Sequence, residues 1–490
     1  MTASQHLRFV CAPPPQAAVG DVYPPVRTIY NHGKTTDEAL TQMAFFGIGA
    51  HRVTREHLPT TPDGEASGDW VVRTNFLAPL PVRDGLDSYG GDCYFDYDTW
   101  RVKKIVRARP TARAFDAVQE DVYLPGQPGW EYAKFVFRST LFSLVTLVDH
   151  LYGVHMQIGN SVTVAAREEL PADHPVRRFL VPYSFQTITV NDNARNNLIN
   201  PRSMGPRCFA FTDQGTALAW AAAPRLVTSG EDLRHTFRQH PQELFGLKID
   251  FELYLETLRR YGADTPYRQQ ALLFWRINKR FVTAYLRHFY AQPADLARDE
   301  EMRRFVVASF ERLETADVAR VLELAPDAFW GLSVNLLTRF ICLVTAGHEQ
   351  VGTVPVYAQD VSFAAFAWPK GETCGTKQVA ITSATLMAFT STPMPMLLAN
   401  PGSDDKLGSD GDWTHLFAGP LALCGQAVGE SGVVPPALRD AWLGYQIELE
   451  RMSAECDAFN QAALAPEAKF PNCFGLWQTN PKYLETAVSV

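Results

Sequence analysis

What this chain of 490 residues lacks narrows its possibilities before any motif is read. Cysteine is sparse: the eight, at positions 11, 93, 208, 342, 374, 424, 456 and 473, form no C-x-x-C pair. That scatter fits reduced thiols and argues against a zinc site. Nowhere does a cluster of basic residues accompany aromatic ones, and 45 basic against 53 acidic side chains leave a net charge of −8. Nucleic acid is therefore not an expected partner. The opening MTASQHLRFVCAPPPQAAVG has neither the basic start nor the sustained apolar run of a signal peptide, and no 18 uninterrupted apolar residues follow. These absences predict a soluble, cytoplasmic protein with no transmembrane segment. With 46% hydrophobic residues the chain can bury a large core. Such a length ordinarily divides into about two to four domains, unless one large helical domain takes it all.

The most informative stretch runs from Lys134 to Glu168, KFVFRSTLFSLVTLVDHLYGVHMQIGNSVTVAARE. Phe, Leu and Val recur on its flanks at helical spacing, so both faces pack against protein and His150 and His155 point into an interior. Each residue of a regular α-helix turns by about 100°, which leaves positions five apart about 140° apart and unable to share one ion. A single π-bulge would realign them. His-x4-His on a long buried helix therefore asks for distorted backbone and a metal, the alternative being two core histidines bonded to carbonyls. A second His-x4-His pair, His235 and His240, has charged neighbours on every face and a proline directly after it, and reads as solvated.

Elsewhere the pattern is coarser. The first 130 or so residues are rich in Pro, Gly and aromatics, with DWVVRTNFL and CYFDYDTWRVKKIVRA as candidate strands. SYGGDCYFDY lacks the ligand spacing of a calcium loop and reads as an ordinary loop. FAFTDQGTALAWAAAPRLVTSG is read as short strands and turns, and GLKIDFELYLETLRRYG as an amphipathic helix. Residues 270 to 315 form one or two long helices with core-packing aromatics. A further apolar helix runs from Asp327 to Gly352, with His348 near its end.

Directly after the first histidine helix the sequence resembles the lipoxygenase family. The resemblance rests on His150-x4-His155, Arg167, His174-Pro175, Leu180-x-Pro182, Val190-Asn191, Ala194-Arg195 and Leu198-Ile199, in family order and spacing save one extra residue before His174. It continues through Phe289-Tyr290, Asp295 and Asp299-Glu300, the Met-rich PMPMLL connector, and Asp457-x-x-Asn460 ahead of an uncharged tail.

The resemblance implies a mainly α fold, a lipoxygenase-like helical catalytic domain built round two long buried helices with a few short strands. Residues 1–40 would be an N-terminal arm and 41–490 the catalytic domain, with no separate N-terminal barrel. It also implies that His348 is the third histidine ligand and that the terminal carboxylate of Val490 is the fourth. An apolar tail entering a core would bury that carboxylate at a cost of several kcal/mol unless a cation met it. Ala194 falls where the family's Ala or Gly steers the face of oxygen addition, and Leu198 where a leucine lines that pocket.

Three departures accompany these matches. Val145-Thr146-Leu147 stands where the family has His-Gln-Leu, Gly159-Asn160 where it has Glu-Pro, and Gly352 where a fourth side chain from the protein would bind weakly. Gly352 therefore marks an open coordination position.

Three imidazoles and one carboxylate oxygen suit non-haem iron, cycling between Fe2+ and Fe3+, and manganese less well. The implied activity is a dioxygenase: hydrogen abstraction from a doubly allylic carbon of a polyunsaturated fatty acid or related polyene, then addition of O2. Two other readings stay open, a different oxidation or rearrangement in specialised-metabolite biosynthesis, and a non-enzymatic lipid binder. No residue pattern specifies an oligomeric state.

Overall fold

Apolar segments long enough to bury on all sides set the layout, and they are helices. The computed structural model describes residues 36–375 and 435–469, apart from 59–63, 112–113, 201–202, 228–250, 314–317, 353, 355–356, 358–359 and 466, together with 479–481, 484, 487 and 488. Two composite helices form its centre. The first joins Trp130–Leu144, a π-helical segment Val145–Gly159, and Asn160–Glu169. The second joins Pro326–Cys342, a π-helical turn Leu343–Gly347, and His348–Gly352. The second is apolar and long enough to cross a membrane, yet 72% of its most apolar stretch is buried inside the protein, so it is a core helix.

Other helices cover this pair. Pro266–Phe289 lies against both the second composite helix and the long Pro436–Ala462, where Phe281 stacks on Tyr445 with ring centroids 4.4 Å apart. Glu300–Arg312 packs on Asn160–Glu169. Proline at the first turn of Pro266–Phe289 fits because that position needs no amide donor, and Thr265 caps it by accepting from the amide of Arg268.

The strands make one antiparallel sheet in the order β1-β2-β3-β4-β5, with β1 Thr54–His57, β2 Ser67–Val72, β3 Asp92–Phe95, β4 Val102–Thr111 and β5 Ala114–Tyr123. Cys93 and Phe95 are buried while Asp92 and Tyr94 are partly open, the two-residue alternation of a sheet covered on one face. Trp70 and Phe95 pair across β2 and β3, and Phe45 meets both rings and stacks on Trp100 at 4.3 Å. This aromatic cluster joins the sheet to Asp37–Thr41 and the π-turn Gln42–Phe46 after it, in which Met43 to Phe46 are buried.

Three expectations need correction. FAFTDQGTALAWAAAPRLVTSG is not strands and turns: Asp213–Val227 is a helix packed on the first π-segment, and only Phe211 makes a lone bridge, to Val82. Residues 270 to 315 contain three helices rather than one or two, because Pro293 opens a short Pro293–Arg298 between the longer ones. The distortion round His150 is not a single bulge but 15 residues of π-helix. His235, His240 and the PMPMLL connector lie outside the described residues.

Candidate metal centre

A π-helix advances about one extra residue per turn, so positions five apart return to one face, and His150 and His155 do so. Their Nε2 atoms are 3.0 Å apart. The turn Leu343–Gly347 brings His348 to the same point, with its Nε2 3.1 Å from that of His150 and 3.2 Å from that of His155. The rings are mutually inclined by 48° to 73°, so they converge edge-on and do not stack. Three imidazole nitrogens this close together could all reach one ion at an ordinary imidazole–metal distance of about 2.1 Å.

Protonation fits a cation at the centre. Asn191 donates from Nδ2 to the His155 carbonyl oxygen at 2.8 Å, which directs its Oδ1 at His155 Nδ1, 2.9 Å away. His155 therefore carries its proton on Nδ1 and turns a bare Nε2 lone pair inward. Burial, opposed by the Asn191 bond, pushes the His155 pKa down to about 4. Burial and the neighbouring imidazoles hold His150 well below the usual histidine range, and burial followed by His155 does the same for His348. Three neutral rings thus point nitrogen at one another. The carbonyl-bonded alternative fails, since the outer nitrogen of His155 goes to a side-chain amide and buried His150 Nδ1 has no hydrogen-bond partner.

Gly352 lies on the same side of the centre. A Cβ there would be 3.3 Å from His150 Nε2 and 3.6 Å from His348 Nε2, so the residue four after His348 does face the histidines and offers them no side chain. Gln350 turns away, and Glu349 has no oxygen within ligand distance of all three histidine nitrogens. Gln350 accepts from the Tyr267 hydroxyl and lies 2.9 Å from His51 Nδ1, whose other nitrogen is 2.8 Å from Asp149. Asp149, next to His150, is gripped by Arg52 through two contacts of 2.5 Å. Burial raises its pKa, but Arg52 and His51 outweigh that and hold it below the usual carboxylate range. Buried Glu349 is pushed up to about 7 by desolvation.

Ala194 is buried on Thr187–Ala194, three residues beyond Asn191, and Leu198 is half-buried in the following π-turn Arg195–Ile199. Val490 lies outside the described residues. Leu484, Ala487 and Val488 are nonetheless fully buried, and a Cβ on Gly159 would come within 3.6 Å of both Val488 and Thr187. Val488 thus lies beside the end of the π-segment, and Asn480 donates to Asp457 at 3.0 Å.

Sequence reasoning missed the π-turn before His348, the role of Asn191, and the Asp149 network. Asn191 had been noted within a motif, but only the fold shows what it touches. A second group, His174 with Asp299 and Glu301, also falls within ligand distance. There His174 Nδ1 accepts from the Val176 amide, so Nε2 carries the proton that faces Asp299, leaving no lone pair for an ion.

Residues 104–312 match the family model for lipoxygenase. The chain is 24% identical over 332 residues to a chloroplastic linoleate 13S-lipoxygenase 3-1 of Solanum tuberosum, covering 65% of this chain and 33% of that protein. It is 26% identical over 189 residues to the epidermal-type polyunsaturated fatty acid (12S)/(13S)-lipoxygenase of Mus musculus, covering 37% and 25%. It thus spans a third or less of the length of these curated relatives. In fold it is similar to a coral 8R-lipoxygenase, with a TM-score of 0.65 at 14% identity, over 100% of this chain and 74% of the other. A calcium-dependent 11R-lipoxygenase gives 0.64 at 16% identity, over 93% and 66%.

Proposed function

We propose that this chain, which carries a lipoxygenase domain over residues 104–312, is a non-haem iron dioxygenase acting on a polyunsaturated fatty acid or related polyene. The observation that carries this reading is the triangle of three Nε2 atoms with edges of 3.0 to 3.2 Å, built by two π-distorted core helices. His150, His155 and His348 would hold iron in preference to manganese, with the Val490 carboxylate as fourth ligand where the chain ends at that residue. Bound there, iron would supply reversible one-electron chemistry, accepting an electron as a proton leaves a doubly allylic carbon and returning it, with a proton, once O2 has added to the carbon radical, so that the hydroperoxide forms with no net redox change at the metal.

The protein's own share is positioning. Asn191 fixes the orientation and tautomer of His155, burial keeps the three rings neutral and available as donors, and Gly352 leaves their flank free of side chain. Ala194 and Leu198 are assigned to the oxygen pocket. Ala194 shares a short helix with the residue that positions His155, which supports that assignment. The names of the relatives favour dioxygenation over rearrangement.

The test is oxygen uptake by iron-loaded protein offered linoleate, other polyenes, and oleate. Uptake with conjugated-diene hydroperoxide from dienes, and none from oleate, is expected. Full iron occupancy with no uptake on any polyene overturns the reading.

A further inference from the structure

The turn from Gly47 to Val53 is fastened on three sides. Ile48 donates its amide to the Tyr357 hydroxyl at 3.2 Å, Arg52 grips Asp149 on the first composite helix, and Arg268 of Pro266–Phe289 donates to the Val53 carbonyl oxygen. Gly47 makes the fit possible, since a Cβ there would sit 2.5 Å from the Tyr357 hydroxyl and 3.0 Å from the Met43 Cα. Within the turn, the amides of Ala50 and Arg52 donate to the carbonyls of Gly47 and Gly49 at 3.1 and 2.8 Å. His51 therefore stands on fixed backbone.

Its ring bridges the two helices that carry the histidine triangle. Tyr267 donates to Gln350 Oε1, so the Gln350 amide nitrogen faces His51 Nδ1, 2.9 Å away. Nδ1 accepts, the proton sits on Nε2, and that nitrogen donates to Asp149 Oδ2 at 2.8 Å. Asp149 directly precedes His150, and Gln350 is two residues past His348. Two residues of helix amount to about 200° of rotation, so a bond that draws Gln350 towards His51 turns His348 to nearly the opposite side, where His150 and His155 stand. The piece of helix concerned, His348–Gly352, has five residues and follows a π-turn. So short a piece offers little regular packing to fix its rotation, and a satisfied chain of directional hydrogen bonds fixes it sharply.

We propose that His51 is a positioning residue for the metal centre: by joining Gln350 to Asp149 it sets how His348 faces His150 and His155. The assignment rests on the metal reading of the preceding section. His51 lies outside the ligand set and acts through residues beside two of its members, as the partners behind a ligand shell do. Its side chain is 28% exposed at the cavity beside the histidines, so shortening it opens a space to water and leaves no sealed void.

Two readouts need no turnover: Fe2+ affinity of the full chain by competition with a chelator, and the visible absorption of the Co2+-loaded protein, whose bands follow ligand geometry. His51→Ala should lower Fe2+ affinity about tenfold or more and shift the Co2+ bands. His51→Gln, which keeps a donor for Asp149 and an acceptor for Gln350, should restore most of both. Gln350→Ala cuts the same bridge from the helix side, so the double variant should lose little beyond the larger single loss. Losses that add in the double variant, or a His51→Gln no better than His51→Ala, overturn the assignment. So does an unchanged affinity and Co2+ spectrum in His51→Ala, even with lowered stability, which is the mark of a merely structural residue. Where His51→Ala does not fold, Gln350→Ala decides in its place, by the same loss and shift or by their absence. Unaltered protein that holds neither ion overturns the metal reading itself, whereas tight binding matched by the variants overturns the role of His51 alone.

Discussion

His155 is held at both ends by one side chain, since Asn191 faces its ring nitrogen and also bonds its backbone carbonyl. Removing that grip by Asn191→Ala frees the ring to rotate and to change tautomer. Metal affinity should fall about 10- to 100-fold, measured by competition with a chelator, and unchanged affinity would show that the ring is fixed by packing alone. The same burial sets the response to pH. Unfolded histidines titrate near 6.5, whereas burial takes His155 down to about 4 and His150 and His348 well below their usual range. Between these limits the three histidines bind more protons in the unfolded chain, and Glu349, raised to about 7, offsets only one of them, so the metal-free protein should weaken as the pH falls below about 6.5. Metal content should hold from about pH 8 to 5 and be lost towards pH 4; half-loss near pH 6.5 would mean solvated imidazoles. At this scale the pair His150 and His155 was legible, because five-residue spacing on a buried helix has few other uses. Asn191 was not, because its partner is 36 residues away in sequence.

The working element is the π-segment Val145–Gly159, and its length was not legible. A bulge can be inferred from two histidines that must meet, but how far the distortion spreads depends on packing and backbone bonding that no local propensity encodes. Gly159 closes the segment. A Cβ there would sit 2.7 Å from the Val154 carbonyl oxygen, too close to be met without moving backbone. Gly159→Ala should therefore cost about 1–3 kcal/mol in denaturant unfolding and lower metal content with it, because the shift is transmitted to His155 one turn away. Unaltered stability and occupancy would show that the turn yields without disturbing the ligands. The helix Asp213–Val227 was misread for another reason. The alternating FAF before it suggested a strand, and outweighed an alanine-rich run with a capping threonine, Thr212, whose hydroxyl accepts from the Gly215 amide at 3.0 Å.

Across the whole molecule, the two composite helices were legible as long apolar periodic segments, and the strands before them as short alternating runs. Their assembly was not, since the cluster of Phe45, Trp70, Phe95 and Trp100 joins segments that carry no mark of one another. The burial of Leu484, Ala487 and Val488 belongs to this scale too. Ala487 and Val488 are fully buried, and deleting residues 487–490 should cost about 2 kcal/mol or more and reduce iron content, whereas a tail that merely covers the surface would come off with neither change. The most direct measurement is the mass of the product formed from linoleate under ¹⁸O2 by iron-loaded protein, with His348→Ala as control. A hydroperoxide carrying both atoms of one O2, absent with the variant, is the predicted result. A product that gains no labelled oxygen, or equal labelling with the variant, contradicts an iron dioxygenase centred on His150, His155 and His348.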